Sequence, residues 1–306
     1  MKRIGIIEKI NKLKEMHEAV ILAHNYQIGE VQDVADFVGD SLELSQMAAK
    51  LEVKMIVFCG VHFMAETAAI LAPDKTVLMP ALDAGCPMAD MITAAELREW
   101  KAQHPGSRVV CYVNTSAAVK AECDICCTSS NALQVVESVE GEEILFAPDK
   151  NLAAYVGRFS QKKIIPWDGY CYVHHHISAR NVREKKAQFP AAEVWVHPEC
   201  RPEVIDLADK VLSTGKMVKE ARVTPKTDVI IGTETGIIHR LKKENPDKNF
   251  HPVKESALCS NMKKIDLRKV LGSLEEMKYR VEVPLDISRR ARSAIEKMVR
   301  IGGEKK

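Results

Sequence analysis

Three cysteines stand 85 and 88 residues apart, at Cys86, Cys171 and Cys259, each after a short apolar run and in a turn-like context: DAGCP, WDGYC and ESALCSN. A solitary cysteine such as Cys86, with no other cysteine within twenty residues, usually behaves as a small buried hydrophobe. Three at one repeated position form a set. Three thiolates brought together would hold either a zinc ion with an open position or an iron–sulfur cluster. A 4Fe-4S cluster with three cysteine ligands keeps one iron free to bind substrate as a Lewis acid, whereas a fully ligated cluster mainly transfers electrons.

The remaining polar residues at the ends of the apolar runs are mostly donors: His24, Tyr26, Asn114, His197, Ser41, Ser129, Ser213 and Thr214. Glu199 is the only carboxylate in this strand-end set. Such a pocket suits an anionic substrate, and the serines and threonine, placed where helices open, would hold carboxylate or phosphate oxygens with help from backbone N–H groups. Glu199 can carry protons in both directions, and His197, two residues earlier on an expected strand, would share its side.

The elements that must position these groups repeat with a period of about 86 residues. AVILAHNY, RVVCYVNT and EVWVHPE are continuous apolar runs of the type found in parallel strands covered on both faces. Polar stations follow at Ser41, Ser129 and Ser213, and third stations nineteen residues beyond each, at Gly60, Pro148 and Gly232, end the runs MIVFC, EILFA and DVIIG. Helical patterns open there, and a fourth short strand (TVLMP, KKIIPW, NFHPV) leads to each cysteine. The pattern predicts an α/β protein of three similar α/β/α layered domains with short parallel sheets around a pseudo-threefold axis. The expected units are 1–86 with an N-terminal helix, completed by the C-terminal segment 265–306, then 87–171 and 172–264.

Composition sets the outer limits. The 306 residues are 46% hydrophobic, and 44 Lys and Arg face 42 Asp and Glu, so no overall basic field points to nucleic acid or anionic lipid. The start has helical apolar spacing at Ile4, Ile7, Leu13 and Met16, broken by charges, unlike a signal peptide. No run of eighteen apolar residues predicts a membrane span. Nine cysteines without an export signal suggest reduced thiols and a cytoplasmic location.

AHNYQIGEVQDVADFVGDS, the CPMAD that begins at Cys86, YVNT with CTSSNA, VHPEC, GTETGIIH and CSNMKK, in this order over about residues 19 to 265, resemble the quinolinate synthase family, iron–sulfur enzymes of de novo NAD synthesis. The resemblance implies condensation of iminoaspartate with dihydroxyacetone phosphate, with loss of phosphate and two waters, and a functional link to the enzyme that supplies iminoaspartate. It implies three similar α/β domains around a 4Fe-4S cluster held by Cys86, Cys171 and Cys259. By the same motifs, His24, Tyr26, Tyr112, Asn114, His197 and Glu199 would line the active site, and Ser41, Ser129, Ser213 and Thr214 would bind anionic oxygens. Relatives often have proline after the second cysteine, where this chain has Tyr172. Some carry a CxxC at the third, which CSNM does not.

Other conspicuous residues receive plainer readings. Cys123, Cys126 and Cys127 in CDICC fall outside the repeated position and read as structural thiols. His174 to His176 read as helix-start packing beside Cys171, with His174 within possible reach of the site. RRAR at Arg289 to Arg292 reads as a solvated helix face, and the terminal GGEKK as a fraying end. The competing functions are a non-catalytic cluster- or zinc-bearing sensor, and another cluster-dependent dehydratase of a small acid.

Overall fold

A computed structural model describes residues 3–301; the terminal GGEKK lies outside the described residues. The first unit forms β1 (Ala19–His24), β2 (Phe37–Gly39), β3 (Met55–Cys59) and β4 (Thr76–Leu78). The second forms β5 (Arg108–Tyr112), β6 (Ile125–Cys127), β7 (Glu143–Ala147) and β8 (Lys163–Pro166), and the third β9 (Glu193–Val196), β10 (Lys210–Val211), β11 (Asp228–Gly232) and β12 (Asn249–Pro252). They make three four-stranded parallel sheets of identical order: β2-β1-β3-β4, β6-β5-β7-β8 and β10-β9-β11-β12. The fold is therefore α/β with three similar layered units. In each, the chain leaves the first strand, pairs on one side, then crosses to the other, which makes the carboxyl ends of the first and third strands a switch point where ligands collect.

Central strands are covered on both faces, which explains their unbroken apolar sequence. All five residues of β3 are buried, as are Ile21, Leu22 and Ala23 of β1. Truncating a fully enclosed residue here, such as Ile56 to Ala, costs about 2–5 kcal/mol. The short second strands, read from sequence as polar stations alone, are fixed by a device common to all three units. Asp36 Oδ2 accepts the N–H of Ile21 at 2.7 Å, Asp124 Oδ2 that of Val109 at 2.7 Å, and Asp209 Oδ2 that of Val194 at 2.8 Å.

That device corrects the third unit's register by one residue. Five residues beyond Asp36, Asp124 and Asp209 stand Ser41, Ser129 and Thr214, so Thr214, not Ser213, is the third station. Likewise Gly60 and Pro148 follow β3 and β7, and the residue following β11 is Thr233, whereas Gly232 still belongs to the strand. On the same register His24, Tyr112 and His197 are equivalent, and so are Tyr26, Asn114 and Glu199.

The N-terminal helix Arg3–His17 buries Ile6 and Ile10 and leaves Ile4 and Met16 exposed, so its inner face is rotated from the spacing read in sequence. It packs on the helix Leu267–Glu276. The last helix, Leu285–Ile301, buries Ala291, Ala294, Ile295 and Met298 against elements of both the first and second units. Arg290 and Arg292 of its outer face pair with Glu122 at 2.6 Å and Glu296 at 2.8 Å.

Candidate active site

The carboxyl ends of the three sheets open on one cavity. Its lining includes Cys86, Cys171 and Cys259, the strand-end residues His24, Tyr26, Tyr112, Asn114, His197 and Glu199, and the stations Ser41, Ser129 and Thr214. Ser213 is not in the lining. It caps the helix Thr214–Val223 by accepting the Lys216 N–H, and its hydroxyl meets Ser130 at 2.8 Å. Ser41 opens the helix Ser41–Lys50, whereas Ser129 sits in a turn ahead of the helix Ala132–Ser138. Thr214 accepts from Asn25 Nδ2 at 3.0 Å, which leaves its own O–H to donate.

His197 and Glu199 lie beyond the end of β9, in the turn that follows, not on the strand as expected. The turn joins them directly: His197 Nδ1 accepts the Glu199 N–H at 3.3 Å. Nor is Glu199 a helix cap, since the next helix, Pro202–Ile205, is preceded by Arg201 without a side-chain cap. Glu199 Oε2 sits 3.0 Å from His197 Nδ1 and 3.1 Å from His174 Nδ1, all three side chains being buried. Two ring nitrogens and a carboxylate oxygen cannot all act as acceptors at this range, so a proton belongs among them. Burial raises the Glu199 pKa against the pull of His174 and Tyr112, which favours holding that proton.

The histidines themselves resist charging. Burial, chiefly, lowers the pKa of His24, His174 and His197 to about 3. His24 Nδ1 accepts the Tyr26 N–H at 3.2 Å, so its neutral ring carries the proton on Nε2 and is a donor there. Tyr26, its pKa raised by burial and by Glu199, keeps its phenol proton and meets Thr233 Oγ1 at 2.6 Å and His174 Nε2 at 3.3 Å. Asn114 Oδ1 and Glu199 Oε1 are buried without a hydrogen-bond partner among the described residues. Buried polar atoms are nearly always paired, and both of these belong to residues that line the cavity.

The cysteine end has its own supports. Burial pushes the Cys86 thiol up to about 12 and raises Cys171 and Cys259 as well. Backbone N–H groups oppose this at each sulfur: Ala89 and Met88 at Cys86, His174 at Cys171, Met262 and Asn261 at Cys259. Thiols left protonated gain nothing from such cradles, whereas metal-bound thiolates do. Two carboxylates fix the cysteine backbones: Asp149 Oδ2 accepts the Cys171 N–H and Glu234 Oε1 the Cys259 N–H, both at 3.0 Å. Both stand one residue past a third station, Pro148 or Thr233, a repeated feature that sequence reasoning missed. Cys171, His174 and Glu199 also place their ligand atoms within 4.8 Å of one another.

Sequence reasoning also missed two carboxylates. Asp40 and Glu234 line the same cavity, so Glu199 is not the only acid there. Asp40 is held by its capping box at the start of Ser41–Lys50, and Glu234 by Lys263 at 2.8 Å. His174 does reach the site. Cys111, Cys126 and Cys127 are buried within the second sheet, away from the cavity lining.

The sequence model of the family described as quinolinate synthetase A protein matches residues 8–300. The chain is 58% identical over 301 residues to a quinolinate synthase of Dehalococcoides mccartyi (strain CBDB1), covering 98% of this chain and 100% of that one. It is 56% identical to one from Methanoregula boonei, over 95% of this chain and 97% of that one, and 53% identical to one from Thermodesulfovibrio yellowstonii, over 96% and 97%. With three repeated sheets emptying onto one cysteine- and donor-lined cavity, and with identity spanning nearly the whole chain, this protein belongs to the quinolinate synthetase A protein family.

Proposed function

We propose that this chain makes quinolinate from iminoaspartate and dihydroxyacetone phosphate, as a cytoplasmic step of NAD synthesis linked to the enzyme that supplies iminoaspartate. One observation carries the reading: three cysteines in backbone N–H cradles share a cavity with the strand-end donors and three hydroxyl stations. The thiols are free among the described residues, partly open to the cavity, and fit a 4Fe-4S cluster better than a disulfide framework. Cys86, Cys171 and Cys259 would hold it. When bound, it supplies a Lewis-acid iron to which a substrate oxygen can bind.

The chain's own groups do the rest. Ser41, Ser129 and Thr214 bind carboxylate or phosphate oxygens, and His24 Nε2–H, Tyr26 and Tyr112 donate to the substrates. Asn114 orients a substrate donor through its unpaired Oδ1. Glu199 takes a proton from carbon and returns it to a departing hydroxyl, with His197 and His174 on its other oxygen keeping that proton nearby. The Ser213 contribution is to hold the start of the Thr214 helix in place. The three units carrying these groups are 1–86, completed by 265–306, then 87–171 and 172–264, and the helix Leu285–Ile301 also packs on the second.

The test is direct. Protein purified without oxygen and given iminoaspartate and dihydroxyacetone phosphate should yield quinolinate and inorganic phosphate in equal amounts. Iron-replete protein that forms no quinolinate overturns the reading.

A further inference from the structure

Asp40 borders two cavities. One is the candidate active site; the other, of about 740 Å³, lies beyond it and is lined by the Ser41–Lys50 helix, Ser130, the start of the Thr214–Val223 helix and Arg240. The partition between them takes one residue from each unit. Ser130 Oγ donates to Asp40 Oδ2 at 2.5 Å and meets Ser213 Oγ at 2.8 Å, with Ser213 3.5 Å from the same carboxylate oxygen. Gly215 permits this closeness, since a Cβ there would stand 2.6 Å from Asp40 Oδ2. Asp40 Oδ1 is taken by the N–H groups of Leu42 and Glu43.

The outer cavity is a basic one. Lys50, Lys216, Lys219 and Arg240 face two acids, Asp40 and Glu43. Both acids have local work: Asp40 as above, and Glu43 accepting the Asp40 N–H at 3.0 Å. Arg240 is tied to Asn25 Oδ1, the Val38 carbonyl and Glu244. No hydrogen bond or ion pair joins the side chain of Lys50 or Lys216 to another described residue. Burial lowers the Lys216 pKa against the pull of Asp40, and an anion arriving beside Lys216 favours its charged form.

We propose that the outer cavity is an anion-binding antechamber for a phosphate dianion, which passes between it and the active cavity across the Asp40–Ser130–Ser213 partition. This rests on the reading that one substrate is a phosphate ester. The volume is ample for such a ligand, and lysines handle phosphate as point charges without fixed geometry, which suits a station of passage more than a reaction site. The same chemistry serves an arriving phosphate ester or departing inorganic phosphate.

Equilibrium dialysis of the full chain against labelled inorganic phosphate at low ionic strength tests this without reference to turnover. The Lys50→Ala/Lys216→Ala protein should bind phosphate about tenfold more weakly at one class of site, the scale of one or two exposed charge interactions. The Ser129→Ala/Thr214→Ala protein should keep that class and lose the other. Competition by glycerol phosphate distinguishes an antechamber open to esters from one reserved for free phosphate. Binding unchanged by loss of both lysines, or abolished entirely in the Ser129→Ala/Thr214→Ala protein, overturns the proposal. Failure to form quinolinate with lysine-dependent phosphate binding intact would instead overturn the reading of the substrate.

Discussion

Within the second unit two cysteines share a residue type and little else. Cys171 lines the cavity, its N–H held by Asp149 and its sulfur facing the His174 N–H. Cys126, in the middle of β6, is 0% exposed, and Cys123 Sγ lies 3.7 Å from its sulfur. Burial raises the Cys171 thiol, and the contact with Cys123 together with burial raises that of Cys126, so a raised thiol alone does not separate a ligand from a packing residue. What separates them is an opening, backbone N–H groups aimed at the sulfur, and equivalent sulfurs from the other two units across the same space.

The sharpest way to break this comparison is substitution on each side of it. Cys86→Ser or Cys259→Ser should abolish quinolinate formation, while Cys111→Ser or Cys127→Ser should lower the thermal midpoint, since a hydroxyl replaces a buried thiol at a cost of about 1–3 kcal/mol, yet leave turnover. Loss of turnover in both sets, with the fold intact, would erase the distinction. Next in size, Glu199→Gln should cut turnover by about a hundredfold or more, the usual scale for a general acid–base group, with iron content kept. Near-normal turnover would move the proton to His197, His174 or Tyr26.

How far these residues could be read in advance depends on the range of the interactions that define them. The three cysteines, the strand runs and the stations at Ser41 and Ser129 follow from a linear period, because each unit repeats the same local elements. The third station was misplaced by one residue since Ser213 and Thr214 carry the same hydroxyl; the Asp209 to Val194 bond that sets the register spans 15 residues. Asp40 is a helix cap. Its place in the cavity wall comes from Ser130 and Ser213, 90 and 173 residues away, contacts that no local pattern records. Asp149 and Glu234 escaped for the same reason: their partners are the N–H groups of distant cysteines.

The serine and threonine positions sharpen the comparison further. Ser129→Ala and Thr214→Ala should each raise KM about tenfold, the scale of one hydrogen bond to a charged oxygen. Ser213→Ala should instead cost about 1 kcal/mol of stability through the lost cap, with a smaller change in KM. Equal KM effects at Ser213 and Thr214 would return the station to the sequence-based register. The smallest effect is one of pH. His24 and His197 titrate near 3 in the folded chain against 6.5 for an ordinary histidine, so between those values the unfolded chain binds more protons. Their contribution to stability is full above about pH 6.5 and declines as pH falls toward 3. Urea midpoints for wild type and His24→Gln should converge as the pH drops through that window; a constant gap would contradict the neutral-histidine assignment.

The central claim is that the cavity cysteines, and not those of the second sheet, hold an iron–sulfur cluster. Iron and acid-labile sulfide should be counted per chain in wild type, Cys171→Ser and Cys126→Ser proteins purified without oxygen. The account predicts about four of each in wild type and in Cys126→Ser, with most of both lost from Cys171→Ser. Full iron and sulfide in Cys171→Ser, or their loss from Cys126→Ser alone, would contradict it.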